Sequence, residues 1–130
     1  MTRCKLVSVL LILLMATAVV SQQTTLQEEQ DYRFAIQLAN KGLHDVAALQ
    51  FERLAETYPL SPRAPEALLY AGENYEQADS LHKAAQAYMS ILFKYPQSDV
   101  VDRAQFAHAN LLSHNNEPMK AAIAFDRLKI

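Results

Sequence analysis

The sequence predicts an all-α protein assembled from repeated helix pairs, and three observations carry that prediction. The 130 residues include 2 glycines and 5 prolines, too few for a sandwich or barrel that turns roughly every 8–12 residues. Alanine, leucine and the long straight-chain residues that favour helix take their place. A 37-residue step then organises the chain: Tyr58-Pro59 recurs as Tyr95-Pro96, and Ala47-Ala48 recurs as Ala84-Ala85 and again as Ala121-Ala122. Phe51, Tyr88 and Phe125 keep the same step, as do Leu54, Ile91 and Leu128. Four series in one register define an internal repeat.

The first segment reads differently from the rest. Residues 1–21 place Arg3 and Lys5 ahead of an uncharged apolar run, Leu6 to Val20, that ends among small residues. This is the layout of a secretory signal peptide, with Ala16-Thr17-Ala18 and Val19-Val20-Ser21 as cleavage contexts. The run of 15 residues is short of the ~20 that cross a bilayer as a helix. Cleavage and export are therefore expected, with an uncleaved inner-membrane anchor as the alternative. Cys4, the only cysteine, would leave with the leader, and disulfide and thiol chemistry with it. Gln22-Gln23 stand where a lipoprotein signal would place its cysteine. Losing Arg3 and Lys5 from 12 basic against 14 acidic residues moves the net charge from −2 to −4. A mildly acidic chain gives no electrostatic reason to expect nucleic acid.

Apolar periodicity and stop signals place helices at 25–40, 43–58, 62–78, 81–95, 99–112 and 117–130. Leu68, Ala71, Gly72 and Tyr75 mark one face of the third. Ala84, Ala85, Tyr88, Ile91, Leu92 and Tyr95 mark the fourth, which Pro96 closes. Ser61-Pro62 opens the third helix, and Ser80 and Ser98 are expected N-caps, their hydroxyls accepting from unpaired first-turn amides. Gly42, Asp79 and Asn116 share one phase, in the turn inside each pair. A left-handed residue commonly ends a helix there. Ala35, Gly72 and Ala109 fall where paired helices must approach closely, opposite Ala47, Ala84 and Ala121. The rings of Phe51, Tyr88 and Phe125 are expected to fill the space between units.

From residue 28 onward the chain resembles the tetratricopeptide repeat, whose pattern is W-x2-L-G-x2-Y, then A-x3-F, then P. The second unit supplies Leu68, Ala71-Gly72, Tyr75, Ala84, Tyr88 and Pro96; the first supplies Phe34-Ala35, Leu38, Ala47, Phe51 and Pro59. The third has His108-Ala109, Leu112, Ala121 and Phe125. Tryptophan is absent, Gln105 takes its place in the third unit, and the step is 37 residues against the family's 34. Longer loops at Leu60–Ala64 and Gln97–Asp99 accommodate the difference. The resemblance implies a right-handed superhelical solenoid of about three helix-turn-helix repeats. These span approximately 28–61, 65–98 and 102–130, the last incomplete, within a domain at 22–130.

Residues able to do chemistry do not converge. His44, His82, His108 and His114 form no i, i+4 pair and lack a second ligand at a recognised spacing. No serine sits in a G-x-S-x-G elbow, and Gly42 and Gly72 lie too far apart for a phosphate loop. Glu28 and Glu29 are adjacent and point apart on a helix. The expectation is a non-enzyme with no catalytic residue, metal, cofactor or small-molecule substrate. Stacked helix pairs instead offer a concave surface lined by the first helix of each unit. The register assigns Tyr32, Arg33, Ile36 and Asn40 to it, then Glu66, Leu69, Glu73 and Glu76, then Arg103, Phe106, Asn110 and Ser113. Such a groove suits an extended or helical partner segment with apolar anchors and a central positive charge; plain solvated helix faces are the alternative. Tyr32, Leu69 and Phe106 stand where the family's clamp for peptide carboxylates needs lysine, so that activity is not implied.

The leader, the 37-residue step and the YP-x-S loops (Tyr58–Ser61 and Tyr95–Ser98) together resemble the family's bacterial-envelope subgroup of BamD-like and CpoB-like proteins. That resemblance implies an exported, non-catalytic scaffold for other envelope proteins, periplasmic and peripheral to the outer membrane. The alternative is the N-terminal adaptor region of a longer envelope enzyme or secretion component. It rests on Met119, Ile123, Leu128 and Ile130, which an uncapped last helix would leave wet. Self-association through that helix is the third expectation.

Overall fold

The computed structural model describes residues 2–114, with the side chains of 18–22 left aside. The expected helix at 117–130, the turn residue Asn116, and Ala121 and Phe125 all lie outside the described residues. So does the apolar end formed by Met119, Ile123, Leu128 and Ile130. Among the described residues the fold is all-α: α1 (Thr2–Asn40), α2 (His44–Thr57), α3 (Ala64–Gln77), α4 (Leu81–Lys94) and α5 (Val101–His114). Each helix packs chiefly on the next in sequence, as short connections between helices favour.

α1 departs most from expectation. Its start near residue 25 is not observed; the helix runs unbroken through 39 residues, about 58 Å at 1.5 Å per residue. The reason is local: no glycine or proline precedes Gly42 to interrupt it. The apolar side chains from Leu6 to Met15 are 55–69% exposed, and burial begins only near Glu28. The N-terminal part of α1 is thus continuous with the fold in backbone but separate from it in packing. No helix among the described residues is long and apolar enough to cross a membrane.

The core follows the repeat. Ala35, Ala47, Ala48, Phe51, Leu54, Ala71, Ala84, Tyr88, Ile91, Ala104 and Ala109 are almost fully buried. Phe51 of α2 fills the space between α1 and α3, edge-on to Tyr32 with ring centroids 6.0 Å apart and 5.5 Å from Tyr70. Gly72 of α3 faces Tyr88 of α4, and a Cβ built there would lie 2.7 Å from Cζ and 2.8 Å from Cδ1 of that ring. The close helix crossing expected at Gly72 is present. Phe34 shares the repeat phase of the buried Ala71, yet it is half exposed. Among the described residues no helix covers that face.

The backbone repeats the step in its hydrogen bonds. At the end of α1, Gly42 N–H donates to Ala39 O (2.9 Å) and Leu43 N–H to Leu38 O (3.0 Å). At the end of α3, Asp79 N–H donates to Glu76 O (3.0 Å) and Ser80 N–H to Tyr75 O (2.8 Å). Both are Schellman turns, and each needs a left-handed residue after the helix. Gly42 has φ +77°, and Asp79 at +58° is the only non-glycine with positive φ among the described residues. The turns after α2 and α4 also match. Tyr58 and Tyr95 N–H donate to Leu54 and Ile91 O, both at 2.9 Å, and Ser61 and Ser98 N–H donate to Tyr58 and Tyr95 O, both at 3.0 Å.

The serines act otherwise than expected. Ser80 occupies the N-cap position of α4 but makes no capping bond; its hydroxyl reaches Asp45 at 3.4 Å. Its backbone, at φ −92° and ψ 59°, differs from the extended geometry that aims a cap side chain at the first turn. Ser98 accepts from Val100 N–H at 3.3 Å, and Ser61 accepts from Arg63 N–H at 3.1 Å. These are local turns ahead of the helices. Helices α3 and α5 accordingly begin two residues later than the periodicity suggests, at Ala64 and Val101.

Candidate functional site: a cleft between the third and fifth helices

Leu69, Glu73 and Glu76 lie at positions i, i+4 and i+7 of α3, and Arg103, Phe106 and Asn110 at i, i+3 and i+7 of α5. Those spacings bring each triplet onto one helix face. The two stripes face each other across a cleft of about 260 Å³, which Tyr88 and Ala107 also line. Six of the twelve residues assigned to a groove by the register are therefore gathered in one place. Leu69 and Tyr88 are buried at its base, whereas Phe106 is 54% exposed.

Both walls of the cleft mix polar and apolar side chains: Leu69 with Glu73 and Glu76 on α3, Phe106 and Ala107 with Arg103 and Asn110 on α5. Arg103 Nη2 lies 3.1 Å from Glu73 Oε1, joining the two walls. The Tyr88 hydroxyl donates to Glu76 Oε1. Burial raises the pKa of Glu73 despite the opposing guanidinium of Arg103, and the nearby carboxylate of Glu76 raises it further. Tyr88 is raised too, by burial first and then by Glu76 as its hydrogen-bond acceptor. Two carboxylates share this space with one guanidinium, which leaves an excess of negative charge when both are ionised.

The remaining groove residues lie elsewhere. Tyr32 is half-buried, with the Arg63 guanidinium 5.0 Å from its ring centroid and its pKa pushed up to about 12, chiefly by burial and then by Glu66. Arg33 Nε bonds Glu29 at 2.7 Å along α1. Ile36 packs against the core, and Asn40 is exposed at the end of α1. Glu66 accepts from the Tyr70 hydroxyl at 3.4 Å, and Ser113 is exposed near the end of α5. The structure joins the second and third units in one cleft and leaves the first unit's residues outside it.

The histidines stay apart. His44 Nδ1 lies 2.9 Å from Asn74 Oδ1, tying α2 to α3, while Asn74 Nδ2 donates to Tyr70 O at 2.9 Å. His108 is half-buried, and burial lowers its pKa. His114 Nδ1 lies 3.0 Å from Asn110 O, and His82 is exposed. Among the described residues no three His, Cys, Asp or Glu side chains are grouped to hold a metal.

Two larger depressions are more open. One of about 830 Å³ runs along the loop edge between Pro59–Pro62 and Lys94–Asp99. Four prolines line it, together with Leu60, Tyr95 and the polar residues of the two loops. Another of about 490 Å³ lies beside Met89 and Phe93. The smaller cleft has the mixture of apolar wall and few placed charges that ligand recognition uses. Comparison with protein-family models, curated proteins and solved structures finds no match.

Sequence reasoning missed two participants. The first is Arg63, a loop residue that clamps Glu29 and covers Tyr32; nothing in the repeat pattern marks it. The second is the Tyr88 hydroxyl. A signal existed for that one: the series Phe51, Tyr88, Phe125 carries a hydroxyl only in the middle unit, where Glu76 stands at the phase held by Ala39 and Ser113 in the others.

Proposed function

We propose that this chain is a non-catalytic, exported protein–protein interaction scaffold of the bacterial cell envelope. In this reading residues 1–21 are a signal peptide. Residues 22–130 form a right-handed superhelical solenoid of about three tetratricopeptide-like repeats, the last incomplete, and partner segments lie along its concave face. The partners are other envelope proteins, with periplasmic placement peripheral to the outer membrane. The recurrence of backbone hydrogen bonds at the 37-residue step supports the architecture. The observation that carries the function is the α3–α5 cleft, where first-of-pair helices present Phe106 beside Glu73 and Glu76. A partially apolar, charge-bearing depression between successive helices is the form of site that holds a peptide segment.

A photo-crosslinking amino acid placed at Phe106, in cells of a bacterial expression host, tests this reading. Placement at Phe93, exposed on α4 away from the cleft, is the comparison. Discrete protein adducts from position 106 are expected. Adducts from position 93 alone, or none from either, would overturn the groove. Mass spectrometry of the purified product locates its N-terminus, and an intact leader would overturn the signal-peptide reading.

A further inference from the structure

We propose that the α3–α5 cleft is a subsite for a single lysine side chain presented by a partner segment. The proposal rests on the scaffold reading and names the chemistry that the cleft selects. Its first support is charge. Glu73 and Glu76 share the cleft with Arg103, so two carboxylates face one cation already in place. The chain's own guanidinium reaches Glu73, from the rim, with its side chain 61% exposed. Glu76 accepts one bond, from Tyr88, while a carboxylate has about four lone-pair sites. Acceptors for an ammonium group therefore remain at the inner end.

The second support is shape. A lysine carries a compact cation on a four-carbon stem and buries that stem along apolar surface while its head meets polar groups. The cleft supplies both surfaces: Leu69, Ala107 and the ring of Phe106 for the stem, and Glu73, Glu76 and Asn110 for the head. Tyr88 closes the base, and its hydroxyl orients Glu76. The raised pKa of Glu73, with Glu76 among its causes, fits a site that gains when a cation enters. An incoming ammonium relieves the repulsion between the two carboxylates.

Two blocked heptapeptides titrated into the isotope-labelled full-length chain test the subsite. One is Ser-Leu-Ser-Lys-Ser-Leu-Ser, and the other has norleucine in place of lysine. The lysine peptide is expected to move amide resonances of α3 and α5 saturably, and the norleucine peptide to bind at least about fivefold more weakly. Glu76→Gln, which keeps an acceptor for Tyr88, is expected to weaken the lysine peptide about threefold. Arg103→Gln is expected to strengthen it by a similar factor, because the resident cation leaves Glu73. That gain is the decisive arm, since a purely structural role for the Arg103–Glu73 pair predicts none.

Equal binding of the two peptides, shifts confined to other helices, or weaker binding by a folded Arg103→Gln chain would each overturn the subsite. If the lysine peptide fails while the Phe106 crosslinks persist, the subsite falls and the scaffold reading stands. If both fail, the scaffold reading falls as well.

Discussion

Replacing Gly72 with alanine sets two physical effects against each other, and the structure says which wins. In an open helix the change stabilises by about 1 kcal/mol, since alanine loses less backbone entropy on folding. Gly72 is not open. Its added methyl carbon would meet Tyr88 Cζ at 2.7 Å and Cδ1 at 2.8 Å, well inside van der Waals contact. The ring cannot step aside cheaply: Tyr88 has no exposed surface, and its hydroxyl is held by Glu76. Overpacking of this kind costs about 1–3 kcal/mol, and breaking the tether to let the ring move adds about 1 kcal/mol. The net is a loss of about 1–3 kcal/mol, or a fall in Tm of roughly 4–24 °C for a domain of this size. Thermal and urea unfolding followed by far-UV circular dichroism measures it. Combining the change with Tyr88→Leu, which removes the ring, should recover about 1 kcal/mol as favourable coupling. A Gly72→Ala chain that melts higher than the parent, as helix propensity alone requires, would refute the reasoning.

The paired turns and the acidic residues give further tests. Gly42→Ala meets no atom within 4 Å, but φ is +77°. It should cost about 1 kcal/mol from conformation alone, whereas Asp79→Gly, at φ +58°, should gain about 0.5–1 kcal/mol; urea midpoints check both. Acid should act first on the docking of α1. Arg33, then Arg63, hold the Glu29 carboxyl below its ordinary 4.5, so its stabilisation is present above about pH 4.5 and is lost as pH falls through the lowered value. Glu73 runs the other way. Burial raises its pKa above 4.5, so it detracts from stability at neutral pH and ceases to do so as pH falls through the raised value. Amide protection factors should therefore fall at residues 28–40 on acidification below about pH 4.5 before they do in α3, and Glu29→Gln should abolish the difference. Equal acid response of the two helices would refute that assignment.

Much of the fold was legible because helix faces and helix ends are written locally. The phase shared by Gly42 and Asp79 marked both left-handed turns, and the alanine and aromatic series marked the core. Two local inferences went astray, one for a local reason and one for a non-local one. Apolar periodicity starts α1 near residue 25, yet the backbone before it has no breaker and is helical. Ser80 had the residue type of an N-cap, but Asp45, thirty-five residues earlier, took its hydroxyl.

The sequence by itself determined the all-α class, the 37-residue step, the placement of the turns and which faces are apolar. These follow from periods of 3.6 and 37 residues along one chain, and each is a property of a single segment and its neighbours. The tertiary structure alone decided what meets across segments: Arg103 with Glu73, Tyr88 with Glu76, and Arg63 with Glu29 and the Tyr32 ring. It also decided that Leu69 is the floor of a cleft and that Tyr32 belongs to a separate cluster. Register assigns a residue to a face, but the distance between two faces depends on how the helices cross. That crossing is fixed by small residues such as Gly72 and the rings packed against them.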